Sequence, residues 1–304
     1  MAETPILDGV FAPIATPFDS EGRLSIAHLR ENLTRYNRTP LAGYVVAGST
    51  GEAILLSWAE TETLWAATAE AADSRKLLIA GTAAESTAET IARTERAAQL
   101  GYQVALVRTP HYYKPQMTVD ALEHFFRRVA DASPIPILIY SIPQYTGVAV
   151  EADLVARLSS HPNIAGIKDS SGSVERVAEM KHVSAGDFRI LVGSASSLLW
   201  SVLLGASGGI LALADVLPEA CAELYELAVA GKLAEGRSLQ DKLLPASKTV
   251  VSKHGVAGAK YALDRLGYYG GPVREPLRPL SDAAKQEIDR VLAGVGTAVS
   301  AGRS

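Results

Sequence analysis

What most limits the fold of this chain is a repeated alternation. Eight short apolar runs lie at residues 9–14, 43–48, 77–81, 104–109, 135–142, 164–168, 188–193 and 209–214. Most are continuous, without in–out alternation, as parallel strands covered on both faces require. Between and after them, segments 24–38, 58–72, 86–99, 119–132, 152–159, 174–183, 197–204 and 219–230 carry apolar residues at helical intervals. In the first of these, Leu24, His28, Leu29 and Leu33 fall on one stripe. Gly101, Gly205 and Gly231 sit just past helical stretches, where a glycine can close the last turn. Strand starts recur roughly every 20–35 residues, the length of a strand–helix unit.

This alternation predicts an α/β fold, a (β/α)8 TIM barrel. The alternative is an open doubly wound sheet, which carries a glycine-rich fingerprint after its first strand. Here that position reads Ala12–Pro13–Ile14–Ala15–Thr16–Pro17–Phe18. Beyond residue 232 the β-like runs stop, and 233–243, 252–266 and 281–292 read as helices. The 304 residues therefore divide into a barrel over 1–232, carrying the active site, and a C-terminal helical appendix over 233–304.

Composition removes several function classes. With 48% hydrophobic and 20% charged residues, the chain has the material for a large core and is neither disordered nor fibrous. A formal net charge of −4 argues against a broad nucleic-acid surface. Cys221 is the sole cysteine, so no disulfide scaffold is expected and a reducing compartment fits. No apolar window approaches the ~18 residues of a membrane span. Residues 1–10 hold no Lys or Arg, unlike a signal or transit peptide. A cytoplasmic location is expected.

In such a barrel the chemistry sits at the C-terminal strand ends. Those ends read Thr16, Ser49–Thr50, Thr109, Tyr140, Lys168, Ser194 and Leu213. Lys168 ends the apolar run Ile164–Ala165–Gly166–Ile167. An amine held against apolar neighbours has its charged form disfavoured, and a neutral amine attacks ketones to form a Schiff base. The plainer reading is a lysine salt-bridged to Asp169. Tyr140 is either a proton relay or a ring packed in the barrel. Gly48–Ser49–Thr50–Gly51–Glu52 offers hydroxyls and N–H groups to a carboxylate, or caps a helix.

The six histidines form no HxH or HxxxH spacing, so no metal site is expected. Gly193–Ser194 with Gly205–Ala206–Ser207–Gly208–Gly209 reads either as a phosphate site or as close helix–strand packing. Arg108, inside an apolar strand, either pairs with a buried carboxylate or meets a substrate acid group.

Taken in order, these blocks resemble the pyruvate-dependent class I aldolase/lyase family that includes dihydrodipicolinate synthase and N-acetylneuraminate lyase. The resemblance runs from about residue 7 to 292. It is carried by Ala15–Thr16–Pro17–Phe18, the Gly48–Glu52 block, Thr109–Pro110–His111–Tyr112–Tyr113–Lys114–Pro115, Tyr140–Ser141–Ile142–Pro143, Thr146–Gly147 and Gly166–Ile167–Lys168–Asp169. It implies a Schiff-base lysine at Lys168 and a proton-relaying tyrosine at Tyr140. It also implies a second tyrosine, Tyr112, reaching in from a neighbouring subunit, and a hydroxyl relay at Ser49. Substrate contacts fall on Thr50, Gly51, Ser170, Tyr145 and Ile210.

The resemblance further implies no cofactor beyond the covalent Schiff base, no metal, and a homotetramer built as a dimer of dimers. Two departures bear on substrate. Where dihydrodipicolinate synthases place an arginine after the Tyr–x–x–Pro block, this chain has Tyr145. Where sialic-acid lyases place acids after the seventh strand, it has Gly193–Ser194–Ala195–Ser196. Within the family the resemblance runs nearest to 4-hydroxy-2-oxoglutarate aldolase, at Glu85–Ser86–Thr87, Lys168–Asp169–Ser170 and Gly267–Tyr268–Tyr269–Gly270–Gly271–Pro272. The expected reaction is therefore cleavage of 4-hydroxy-2-oxoglutarate to pyruvate and glyoxylate. Dihydrodipicolinate synthesis, a 2-oxo-3-deoxy sugar acid aldolase or dehydratase, and a non-catalytic 2-oxo-acid binding protein are the alternatives.

Overall fold

The computed structural model describes residues 5–300, the last five by backbone alone. Residues 1–4 and 301–304, the outer ends of the two expected regions, lie outside it. The eight apolar runs become β1 (Gly9–Pro13), β2 (Gly43–Val46), β3 (Leu77–Gly81), β4 (Val104–Arg108), β5 (Ile137–Ser141), β6 (Ile164–Asp169), β7 (Arg189–Val192) and β8 (Gly208–Ile210). All pair in parallel, and β1 meets β8 to close the barrel.

The strands are apolar on both faces because they serve two cores. Phe11, Val45, Ile79, Leu106, Leu138 and Leu191 fill the barrel interior. Val10, Tyr44, Ala105, Ile139, Ile167 and Val192 pack outward against the helical layer. That division explains why the runs do not alternate in polarity. Closing the sheet also leaves no unpaired strand edge.

Local signals set the helix ends. Ser57 and Glu60 form a reciprocal capping box on the helix Trp58–Ala71, a contribution of about 1 kcal/mol. Ser86, Thr118 and Ser173 cap Thr87–Gln99, Val119–Ala132 and Val174–Val183 by accepting one backbone N–H each, without the reciprocal bond. The glycines expected to close helices do so: Gly101 and Gly205 have φ of +86° and +98°.

Several boundaries differ from the sequence reading. The run 135–142 starts as a strand only at Ile137, after Pro136, and stops at Ser141 because Pro143 opens a short helix, Pro143–Thr146. The run 209–214 is strand only to Ile210, and the helix Ala212–Val216 follows. Leu213, expected at a strand end, is therefore buried in that helix. The segment 197–204 divides into the turn Ala195–Ser197 and the helix Leu198–Leu203. In the C-terminal region the helix Leu233–Ala246 continues as a wide π-helical turn, Ser247–Lys253, into Gly255–Arg265. The last helix is Asp282–Ser300.

One irregularity aims the site. Along β5 and β6, Ile137 pairs with Ile164 but Leu138 pairs with Gly166. Ala165 is thus an extra residue, a β-bulge, which reverses the in–out phase of the rest of the strand. Ile164 faces the outer layer and Ala165 the interior, yet Ile167 faces outward again. Lys168 consequently points into the barrel and Asp169 points out.

Candidate active site

Lys168 lies at the C-terminal end of β6, directly across from Tyr140 on β5. It is 4% exposed, and its Nζ stands 4.2 Å from the Tyr140 ring centroid. A cation is attracted to that ring face, but the contact costs an amine far less of its freedom to react than an ion pair would. Among the described residues no carboxylate lies within ion-pair distance of Lys168. Asp169 is turned away; it accepts hydrogen bonds from the Ser171 amide and hydroxyl and faces Arg176 at 3.8 Å. Strand alternation, which puts these two neighbours on opposite faces, therefore removes the salt-bridged reading of Lys168, and the bulge decides that it is the lysine that faces inward.

The Tyr140 hydroxyl is 3.3 Å from Ser49 Oγ. Ser49 and Thr50 belong to a loop after β2 that is bracketed by two residues in the left-handed region, Ala47 at φ 57° and Glu52 at φ 56°. Neither is glycine, so both positions carry backbone strain that the surroundings must hold. The Ala47 backbone also passes Gly81 so closely that a Cβ there would sit 2.0 Å from the Ala47 carbonyl oxygen. The loop does not cap a helix. Only the single turn Ala53–Leu55 follows, without a side-chain cap, and the long helix beyond is capped by Ser57.

These groups surround a cavity of about 100 Å³. Of the nine residues expected from the sequence, Lys168, Tyr140, Ser49, Thr50, Ser170, Tyr145 and Ile210 line it. Gly51 does not; it faces Ile14 and Thr16, and the Thr16 hydroxyl donates to its carbonyl at 2.6 Å. Tyr112 also lies outside the cavity of its own chain, 76% exposed and edge-to-face with Tyr113 at 5.1 Å. Tyr145 is at the rim and largely exposed.

Sequence reading missed part of the wall. Gln144 lines the cavity and donates to the Ser170 carbonyl at 3.0 Å. Gly193, read from the sequence only as part of a phosphate site or of close packing, also lines it, and a Cβ there would collide with Ser170 Oγ at 1.9 Å. Val251, Gly255, Val256 and Ala259 close it from the C-terminal helices. Nothing in local periodicity marks these last four, since their role depends on where the helical region folds back.

The remaining open readings resolve into packing. Arg108 pairs with Glu85 at 3.1 Å, a carboxylate that is partly exposed and not buried. Glu85 also accepts the His111 and Tyr112 amides at 2.9 Å each, so the cluster fixes the loop that carries Tyr112. Gly208 and Gly209 are pressed against Gly9 and Leu211, which is tight packing and no phosphate cradle. No group of three His, Cys, Asp or Glu could hold a metal among the described residues. No described helix is long and apolar enough to cross a membrane.

Beneath the loop is a second buried lysine. Lys260, 1% exposed on the helix Gly255–Arg265, pairs with Glu52 at 2.5 Å and donates to the Pro272 carbonyl at 2.7 Å. Burial pushes the Lys260 amine down from its ordinary value, and Glu52 pushes it back up. Nearby, Asp215 is fully buried and accepts from the Ala15 amide at 2.9 Å. Burial raises its carboxyl to about 7, against the lowering effects of Tyr36, Ala15 and Lys260.

Comparison with known proteins shows the family. Residues 6–294 match the dihydrodipicolinate synthetase family. A 4-hydroxy-tetrahydrodipicolinate synthase from Exiguobacterium sp. is 35% identical over 281 residues, covering 92% of this chain and 95% of that protein. The structure of a protein of the same name from Methylacidiphilum fumariolicum SolV has a TM-score of 0.92 at 30% identity, covering 97% of each chain. The dihydrodipicolinate synthase of Acinetobacter baumannii, solved in complex with pyruvate, has a TM-score of 0.91 at 30% identity, over 95% of this chain and 99% of that one. These relatives carry synthase names, and none is named as the 4-hydroxy-2-oxoglutarate aldolase branch expected from the sequence.

Proposed function

The chain belongs to the dihydrodipicolinate synthetase family, and on that premise we propose that Lys168 is the Schiff-base amine of a pyruvate-dependent carbon–carbon lyase or synthase. The observation that carries this reading is a buried lysine with no carboxylate partner, facing Tyr140 across a small cavity. Lys168 Nζ adds to the C2 ketone of pyruvate, or of a longer 4-hydroxy-2-oxo acid in the cleavage direction, and loss of water gives an iminium. The iminium draws electrons from C3, so a C3 proton can leave to form an enamine, or a C3–C4 bond can break. Ser49, Thr50 and the loop amides hold the C1 carboxylate. Tyr140, with Ser49 Oγ at 3.3 Å, carries protons to and from the hydroxyl that forms or disappears at C4.

Tyr112 would complete the relay from a second copy of the chain. Its exposure outside its own cavity supports that arrangement. The family's dimer-of-dimers tetramer and a cytoplasmic location belong to the same proposal.

Two readings of the second substrate follow. The names of the relatives support condensation of pyruvate with aspartate semialdehyde. Cleavage of 4-hydroxy-2-oxoglutarate to pyruvate and glyoxylate is favoured by one observation, Tyr145 at the rim where the synthases place an arginine. A phenol cannot offer a carboxylate the two parallel charged N–H donors of a guanidinium.

Borohydride added with pyruvate is expected to leave a reduced pyruvyl group on Lys168, read by peptide mass. No adduct at saturating pyruvate would overturn the mechanism. Turnover over a panel of 2-oxo acids, beside aspartate semialdehyde plus pyruvate, decides between the two substrates. If the synthase reading is right, the semialdehyde is consumed; if the lyase reading is right, glyoxylate is released and the semialdehyde is left.

A further inference from the structure

We propose that Glu52 and Lys260 are positioning residues that hold the Ser49–Thr50 loop in its substrate-binding shape. This inference rests on the Schiff-base reading above and deepens it. The loop must turn sharply to aim Ser49 at Tyr140 and Thr50 into the cavity, and it does so with a left-handed, non-glycine residue at each side. Such a backbone persists only where neighbours over-determine it.

At the Glu52 end that restraint is visible. One carboxylate oxygen meets Lys260 at 2.5 Å, and the other accepts the Arg274 amide at 2.8 Å. Within the loop, the Glu52 amide donates to the Ser49 carbonyl at 3.1 Å and the Ala53 amide to the Gly48 carbonyl at 3.2 Å. A change in where the carboxylate sits is therefore passed directly to Ser49.

The anchor is itself rigid. Lys260 also donates to the Pro272 carbonyl and lies 4.3 Å from the Phe18 ring centroid. Arg274 lies over the same ring at 4.2 Å and pairs with Glu60 at 2.6 Å, just at the cap of the next helix. Ala259, adjacent to Lys260, lines the cavity. The pair thus ties the substrate loop to the C-terminal helix that forms the opposite wall. An apolar pair would fill the space but would not fix the direction of the loop, since apolar contacts carry no orientation.

The test is borohydride trapping as a function of pyruvate concentration, on the full chain, with melting temperature recorded in parallel. Glu52→Gln is expected to raise the half-saturating pyruvate concentration about 10- to 100-fold, the size of effect that a displacement near 1 Å produces. Glu52→Asp is expected to fall between this variant and the wild type. If Glu52→Gln does not fold, the double variant Glu52→Gln/Lys260→Met removes both charges and leaves neither stranded; the same rise is expected. If that too is insoluble, Glu52→Asp alone decides by the same measure. Variants that melt lower but are half-saturated at the wild-type pyruvate concentration would show a merely structural pair and overturn the proposal. An absent adduct in the wild type would instead overturn the Schiff-base reading, and this inference with it.

Discussion

Two buried lysines stand on either side of the same loop, and they differ in one respect. Lys260 is 1% exposed and fully partnered, by the Glu52 carboxylate and the Pro272 carbonyl. Lys168 is 4% exposed and has an aromatic ring and a cavity where a carboxylate would be. A buried amine held by a carboxylate is a tie between two parts of the chain. A buried amine without one is left facing the cavity, where a carbonyl can reach it. Burial alone does not separate a structural lysine from a candidate nucleophile; the partner does.

The comparison can be broken most sharply at Lys168. Lys168→Ala is expected to abolish covalent trapping and to lower turnover by roughly 10³-fold or more, as removal of a nucleophile does. Its melting temperature is expected to change little or rise, because an unpaired buried amine is removed. Residual trapping on another lysine, Lys260 above all, would reverse the assignment.

Tyr140→Phe is the next largest, with kcat expected to fall about 10²- to 10⁴-fold while half-saturation by pyruvate moves little. Steady-state kinetics separate these two terms. A rise in half-saturating pyruvate with kcat unchanged would make Tyr140 a binding residue instead of a relay.

At the other lysine the expected effect is on stability. Lys260→Met leaves the Glu52 charge buried without its cation, which costs about 3–5 kcal/mol. Denaturant unfolding measures it. A cost under 1 kcal/mol would mean that the pair is not the restraint that its geometry describes.

Asp215, within reach of the Lys260 charge, supplies a pH test. Its carboxyl is raised from 3.8 to about 7 in the folded state. Between those pH values the unfolded chain has lost this proton and the folded chain keeps it, so stability falls as pH rises through the window and levels off above about 7. Asp215→Asn is expected to remove that slope, a difference of a few kcal/mol at most. Parallel stability curves for the variant and the wild type would contradict it.

The smallest effect concerns specificity. Tyr145→Arg adds a charge-assisted pair for a second carboxylate and is expected to improve kcat/KM for aspartate semialdehyde about 10- to 100-fold if the loop admits the side chain.

Much of the site was legible before any coordinates. Lys168 and Tyr140 close apolar runs, and a barrel puts strand ends together. Ser49 and Thr50 sit in a glycine-bounded turn, which marks them as a loop near the backbone of something else. What was not legible has a common cause. Val251, Val256 and Ala259 line the cavity from a region whose local pattern says only helix. Gln144 follows a proline in a segment that reads as a strand exit, and the short helix Pro143–Thr146 turns it back toward Ser170. Glu52 reads as a helix-start acid, but its partners, Lys260 and the Arg274 amide 222 residues further on, belong to another part of the chain.

The sequence by itself determined the strand–helix alternation, the two-sided burial of the strands and the identity of the groups at their ends. Those follow from local spacing and side-chain chemistry. Only the tertiary structure decided which way Lys168 points. In a regular strand it would share the outward face of Ile164; the extra residue Ala165 in the β5–β6 pairing reverses the phase. A bulge is a property of two strands paired together, so one strand read alone does not contain it. The same reversal puts Asp169 on the outer face beside Arg176; that the two neighbours point apart is strand alternation, which any register would give.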